Sequence, residues 1–321
     1  HDAWAVSQGS ADVVVAVIDT GIDTDHPEFT GRISPLSYNT TTNATGVKCV
    51  EADVYHGTHV AGIIAAAQGN AFGGSGIAPA STLLVIKANM PDDPNAFTSY
   101  DLVEAIYYAA NHGADIINLS LGRPYQTDSS GTEQIAIQYA LDKGVLVICA
   151  AGNESYAHAG FPAAYPETLA VSAANTEGVF NADFSNYGPE IDLCAPGTDI
   201  YSTIPDKSFT TYSGTSMACP MVSGLAALLL SCYPGYTPDQ IKDLMFLSAT
   251  DLGDHGFDPY YGNGLIHVGK ALDPQVSQIY FEGAGTEADP FLIASPLQLM
   301  QMADLVNLKI PLYRYGFYKL T

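Results

Sequence analysis

A carboxylate, an imidazole and a hydroxyl stand in three separate blocks of the 321-residue chain. Asp19 closes the apolar run VVVAVID, His56 opens HGTHVAG, and Ser216 lies in GTSMACP. Together these side chains suit nucleophilic acyl transfer. A serine hydroxyl is a weak nucleophile until a neighbouring base takes its proton. A histidine can take that proton and return it to a leaving amine. A buried carboxylate then holds the imidazole tautomer and stabilises the imidazolium. The negative oxygen of a tetrahedral intermediate needs fixed donors. The backbone N–H of Ser216, expected at an electropositive helix start, is one candidate. The side-chain amide of Asn153, at the end of VLVICAAGN, is the second.

Competing chemistries fit less well. His56 and His59 are three apart on one helical face, but no glutamate completes an HExxH zinc motif. His59 therefore reads as a packed histidine behind the site. The five cysteines, Cys49, Cys149, Cys194, Cys219 and Cys232, form no CxxC pair. Their odd number leaves at least one unpaired. Four sit in apolar segments, as buried free thiols do, and Cys49 lies in a polar stretch. Cys219, three residues after Ser216, reads as core filler. Asn118 and Asn153 head N-x-S sequences, but buried strand ends argue against glycosylation there.

The elements that must position these residues follow from the apolar pattern. Strands are expected at Val13–Asp19, Leu83–Ala88, Asp115–Leu121, Val145–Ala150 and Leu169–Ala173. They are continuous apolar runs, which suit strands buried on both faces of a parallel sheet. Helices are expected at His59–Gln68 (with Thr58 as its cap), Tyr100–Asn111, Glu133–Lys143, Met217–Cys232 and Pro238–Leu247. The alternation predicts an α/β fold: a doubly wound, mostly parallel sheet with helices on both faces. Such sheets bind ligands beyond the carboxyl ends of their strands. Asp19, Ser120, Gly122 and Asn153 all fall at expected strand ends.

Composition narrows the function. With 47% apolar residues the chain can bury a large core, and 34 acidic against 11 basic residues give a net charge of −23. That charge argues against nucleic acid or an anionic membrane as partner. It suits a soluble exported enzyme, or a salty or acidic habitat. The longest apolar run, Met221 to Leu230, is too short to span a bilayer. His1–Trp4 has neither the basic start nor the apolar run of a signal peptide, which predicts a removed leader or non-native ends.

The blocks VAVIDTGID, HGTHVAG, AAGNE and GTSMACP resemble the signature blocks of subtilisin-like serine proteases, in the order Asp, His, Ser. The resemblance covers residues 4–273 and implies a three-layer α/β/α peptidase domain over 1–273. It implies a serine endopeptidase with Ser216 as nucleophile, His56 as general base and acid, Asp19 as orienting carboxylate and Asn153 in the oxyanion hole. Ser120, Leu121 and Gly122 would pair with the substrate backbone. Ala151, Gly152 and Gly160 would form the primary specificity pocket, roomy enough for a large apolar P1 residue. Glu154 and Asp25 could add tolerance for basic residues. Phe161-Pro162 resembles a family site with a cis X–Pro bond. Catalysis would need no cofactor. The Gly69–Gly76 loop resembles a family calcium loop, with Glu28 and Asn70 as ligands of a structural calcium.

Residues 274–321 form a separate C-terminal extension. They resemble the opening of a bacterial cell-surface repeat module, in which a strand through Pro290-Phe291 precedes a Leu-rich helix and a Tyr-Lys-Leu strand. These resemblances predict a secreted enzyme acting on proteins or peptides, attached to the cell wall or surface through further modules. The alternative is a catalytically silent surface or adhesion protein on a protease fold.

Overall fold

A computed structural model describes residues 2–49, 55–94, 96–125, 131–273 and 286–293, with 298–299, 302–303, 306 and 316–320 beyond them. The chain builds α1 (Asp2–Val6), β1 (Val14–Asp19), β2 (Tyr38–Asn39), α2 (His56–Ala65), β3 (Thr82–Lys87) and α3 (Ser99–Asn111). Then follow β4 (Ile116–Leu119), α4 (Thr132–Asp142), β5 (Leu146–Ala150), β6 (Leu169–Ala174) and β7 (Leu193–Pro196). An antiparallel hairpin, β8 (Ile200–Ile204) and β9 (Ser208–Tyr212), leads into α5 (Thr215–Cys232), α6 (Pro238–Ser248) and α7 (Val268–Ala271). Strands β10 (Phe291–Ile293) and β11 (Tyr318–Leu320) pair in parallel.

The main sheet has seven parallel strands in the order β2-β3-β1-β4-β5-β6-β7. Alternate side chains of each strand face different helix layers. Val15, Val17 and Ile148 pack with α2 and α5, whereas Ala16, Ile18 and Val147 pack with α3 and α4. Burial on both faces is why the strands read as unbroken apolar runs. The chain goes from β1 to β3 on one side, then returns past β1 to β4 on the other. The sheet order therefore reverses beside β1, and ligands of such sheets bind at that switch point. Asp19 ends β1, and Ser120 follows β4.

Four expectations change. Helix α2 starts at His56, three residues earlier than expected, after Tyr55 rather than Thr58. Thr58 instead lies inside the helix, where its Oγ1 accepts the Asp23 N–H at 2.9 Å. Helix α5 is 18 residues long and apolar enough to cross a membrane by length and composition, but most of it is buried in the core. Cys49 is buried despite its polar neighbours, and Cys232 is half-buried. The hairpin β8–β9 and strand β7 were not foreseen. The Phe161-Pro162 peptide bond is cis.

Candidate active site

The first residues of α2 lie against the end of β1 because two contacts leave no room between them. The Gly57 N–H donates to Thr20 Oγ1 at 3.0 Å. A Cβ on Gly57 would stand 2.2 Å from the Gly21 carbonyl oxygen, so only glycine allows this approach. His56, one residue earlier, is thereby set over Asp19. Its Nδ1 lies 2.9 Å from Asp19 Oδ1 and 3.0 Å from Oδ2. Asp19 is fully buried, and Oδ1 also accepts the Thr20 N–H at 2.7 Å. The His56 side chain keeps 36% of its surface exposed. Burial pulls the His56 pKa down. The charge and hydrogen bond of Asp19 outweigh that and leave it above the usual value.

Ser216 is the second residue of α5, not its cap; Gly214 holds that place. The Ser216 hydroxyl donates to the Ser120 carbonyl at 3.1 Å. Ser120 Oγ in turn donates to the Ser216 carbonyl at 2.9 Å. Behind Ser120, buried Asn118 donates its Nδ2 to Ser120 Oγ at 3.0 Å and accepts at Oδ1 from Ser223 Oγ at 2.8 Å. The Cys219 thiol points into the same polar cluster, 3.3 Å from Asn118 Oδ1. Burial pushes this thiol far above its ordinary pKa, which makes it inert.

Asn153 is turned by Thr215, a residue the sequence reading passed over. Thr215 donates its N–H at 2.8 Å and its Oγ1 at 3.0 Å to Asn153 Oδ1. Thr215 Oγ1 also accepts the Gly152 N–H at 3.1 Å. With Oδ1 held, the Asn153 amide has its Nδ2 donors left for the cleft. The signal was present in the sequence, since Thr215 directly precedes the serine.

A cleft of about 80 Å³ opens beside Ser216, and Asn153 lines it. Leu121, Gly122, Gly152 and Gly160 line it too. Ala151 does not. It is buried behind the wall, where its carbonyl accepts the Gly160 N–H at 2.8 Å, and Ala150 takes its place. Ser120 holds Ser216 rather than lining the cleft. The two walls are tied by Arg123 and Phe161, which exchange backbone bonds at 2.8 and 2.9 Å. A Cβ on Gly160 would meet the Arg123 carbonyl oxygen at 2.5 Å, so this closure also requires glycine. Glu154 and Arg123 bring charge to the cleft; Glu154 Oε2 accepts from Asn186 Nδ2 at 2.7 Å and from the Asn153 N–H at 3.1 Å. Asp25 is not among these lining residues; it is exposed and pairs with Lys48.

Glu28 and Asn70 meet, with Asn70 Nδ2 donating to Glu28 Oε1 at 3.2 Å. Glu28 is fully buried, and its Oε2 has no partner. Asn70 Oδ1 accepts the Phe72 N–H at 3.1 Å. Among the described residues, no group of three or more His, Cys, Asp or Glu side chains could hold a metal.

A serine and an oriented amide that line one cleft, with a histidine held by a buried carboxylate at the switch point, suit a serine hydrolase. The comparisons specify its class. The subtilase family model matches residues 10–264. A subtilisin of Bacillus pumilus is 40% identical over 272 residues, covering 83% of this chain and 93% of that protein. A thermophilic serine proteinase of Bacillus sp. (strain AK1) is 43% identical over 276 residues, covering 84% of this chain and 64% of that protein. The solved structure of the prenylagaramide maturation protease PagA superposes with a TM-score of 0.71 at 32% identity. It covers 84% of this chain and 96% of that one. The protein is a serine endopeptidase, a hydrolase. The chain belongs to the subtilase family.

Proposed function

We propose that the protein cleaves peptide bonds through an acyl-enzyme on Ser216, with His56 as general base then acid, Asp19 as orienting carboxylate and Asn153 as oxyanion donor. The observation that carries this reading is the double contact of His56 Nδ1 with the buried Asp19 carboxylate, beside the cleft that Ser216 and Asn153 line. Asp19 fixes the proton on Nδ1 and leaves Nε2 as the basic nitrogen. A substrate laid extended along Ser120–Gly122 offers backbone N–H groups to that segment. One of them competes for the Ser120 carbonyl, which frees the Ser216 hydroxyl to turn to His56. Ser216 Oγ then attacks the scissile carbonyl carbon while its proton passes to His56 Nε2. The oxyanion receives hydrogen bonds from Asn153 Nδ2 and the Ser216 N–H. As the C–N bond breaks, His56 returns the proton to the leaving amine. Water then repeats the sequence and releases the acid.

The P1 residue is a large apolar side chain. It lies between the backbone walls at Gly122, Gly152 and Gly160, which carry no side chains of their own. Leu121 adds an apolar edge, and Glu154 and Arg123 carry charge at the rim. The substrates are proteins or peptides met outside the cell after secretion. Residues 1–273 make the peptidase domain, and residues 274–321 an extension serving surface attachment. Phe291, Ile293 and Tyr318 of that extension pack on Phe246 and Leu247 at α6. A structural calcium at Glu28 and Asn70 is supported by the orphaned, buried Glu28 Oε2, an oxygen that suits a hard cation. Bound there, it would stiffen the loop and take no part in catalysis.

The test is hydrolysis of a fluorogenic peptide series by the wild type and by Ser216→Ala. Turnover lost only in the variant supports the proposal, and equal turnover would end it.

A further inference from the structure

The primary cleft has two backbone walls, Leu121–Arg123 on one side and Gly152–Glu154 with Gly160 on the other. The first is anchored by Arg123, whose Nη1 donates to the buried Glu133 Oε2 at 2.6 Å. The second runs through the segment 154–160, which is held at its base and at its tip. At the base, the Glu154 and Tyr156 N–H groups donate to Asn186 Oδ1 at 3.0 and 2.9 Å. At the tip, His158 Nδ1 donates to Glu190 Oε1 at 2.8 Å, and the Ala159 N–H donates to Glu190 Oε2 at 3.3 Å. A Cβ on Gly188 would stand 2.7 Å from that Oε2 and 2.8 Å from the Ala157 carbonyl oxygen, so glycine lets the two segments close.

With one edge fixed by Glu190, the His158 ring stacks on Tyr125, at 4.4 Å between centroids and 16° between planes. Tyr125 stands two residues beyond Arg123 and also stacks on Phe161, at 5.4 Å and 12°. Both rings stay partly exposed, and neither lines the cleft. The stack joins the two walls a second time, beyond the backbone bonds between Arg123 and Phe161.

We propose that the Tyr125–His158 stack, with Glu190 behind it, is a clasp that sets the spacing of the cleft walls, which makes Tyr125 and His158 positioning residues for the P1 side chain. The inference rests on the proteolytic reading given above and adds what holds its specificity pocket in shape. A large P1 side chain draws contacts from both walls at once. A wall already in place costs nothing to order on binding, whereas a loose wall must be ordered by the substrate. Alanine at P1 reaches neither wall in depth and does not depend on the clasp.

The experiment uses peptides identical except for Phe or Ala at P1, given to the wild type, Tyr125→Ala, His158→Ala and the double variant. Wild-type kcat/KM should favour Phe. In Tyr125→Ala the Phe/Ala ratio should fall by about two- to tenfold, the worth of one stacked aromatic pair, through a higher KM for the Phe peptide. The Ala peptide should keep its kcat/KM. His158→Ala should act alike, and the double variant should lose no more than either single one, since all three remove the same contact. Tyr125→Phe keeps the ring and should restore the wild-type ratio. An unchanged ratio in the single variants overturns the proposal. So do equal losses on both peptides, which mark general damage, and losses that add in the double variant. Where Tyr125→Ala folds poorly, the half-exposed His158 carries the same test. A wild type that cleaves neither peptide would contradict the proteolytic reading instead. The Phe/Ala ratio is then read as calorimetric binding to Ser216→Ala with and without Tyr125→Ala, and an unchanged ratio there overturns the clasp.

Discussion

Ser120 and Ser216 hold each other through two hydrogen bonds, each hydroxyl donating to the other residue's carbonyl. The arrangement follows from Pro220 inside α5. In an α-helix the N–H of residue 220 would bond the carbonyl of residue 216. Proline has no N–H, so the Ser216 carbonyl is left for Ser120 Oγ. The pair locks the start of α5 to the end of β4. It also parks the Ser216 hydroxyl on the carbonyl that a substrate backbone would claim in the proposed mechanism.

Removing the Ser120 hydroxyl should loosen this lock. Ser120→Ala leaves Asn118 Nδ2 without its acceptor and the Ser216 carbonyl without its donor. We expect a loss of about 1–3 kcal/mol in stability from these unpaired buried groups. We also expect kcat to fall by about tenfold with little change in KM. Denaturant unfolding and steady-state kinetics check the two parts.

The oxyanion role of Asn153 predicts a larger and more selective loss. Asn153→Leu should lower kcat by roughly 10²–10³ and leave KM nearly unchanged, since the amide acts on charge that exists only in the transition state. A rise in KM with constant kcat would assign Asn153 to ground-state binding instead.

The two histidines of α2 are shifted in opposite directions from the ordinary imidazole pKa. His56 must be neutral to accept the Ser216 proton, and Asp19 raises its pKa above 6.5. Activity should therefore rise with pH along a limb centred above 6.5, read from kcat/KM. His59 is fully buried, packs on Tyr212 at 4.7 Å and lies 3.3 Å from the Thr210 carbonyl through Nε2. Burial lowers its pKa to about 4, and neighbouring His56 adds to the shift against the pull of Thr210. Between pH 6.5 and 4 the unfolded chain then binds the proton that folded His59 refuses. Its contribution to stability is present above pH 6.5 and lost on the way down to about 4, on the order of 3 kcal/mol. His59→Gln should flatten that part of the stability curve in urea titrations.

Much of this architecture was legible in the sequence because parallel strands buried on both faces leave unbroken apolar runs. VVVAVID and VLVICA are such runs, and their ends carried Asp19 and led to Asn153. Asp19 meets His56, and Ser216 and Asn153 line one cleft, because each sits in a block whose neighbours fix its backbone, such as Gly57 beside His56. The hairpin β8–β9 was not legible, since IYSTI and SFTTY are short and half polar. Thr215 and Arg123 were missed because their roles arise from tertiary contacts with Asn153 and Glu133. Ala151 was misplaced by one residue, and a one-residue step along a strand turns the side chain to the opposite face.

Glu28 gives a check on calcium. If the orphaned Oε2 binds the ion, a chelator should lower the melting temperature of the wild type by several degrees and leave Glu28→Gln unchanged. Equal shifts in both, or none in the wild type, would remove the metal from Glu28.

The central claim is that Ser216 is an activated nucleophile. Its most direct test is reaction of the folded protein with a fluorophosphonate, followed by peptide mass mapping. The account predicts a single adduct on Ser216, absent in Ser216→Ala and after acid denaturation, and much slowed in His56→Ala. A folded wild-type protein that takes no label, or takes it on another residue, would contradict it.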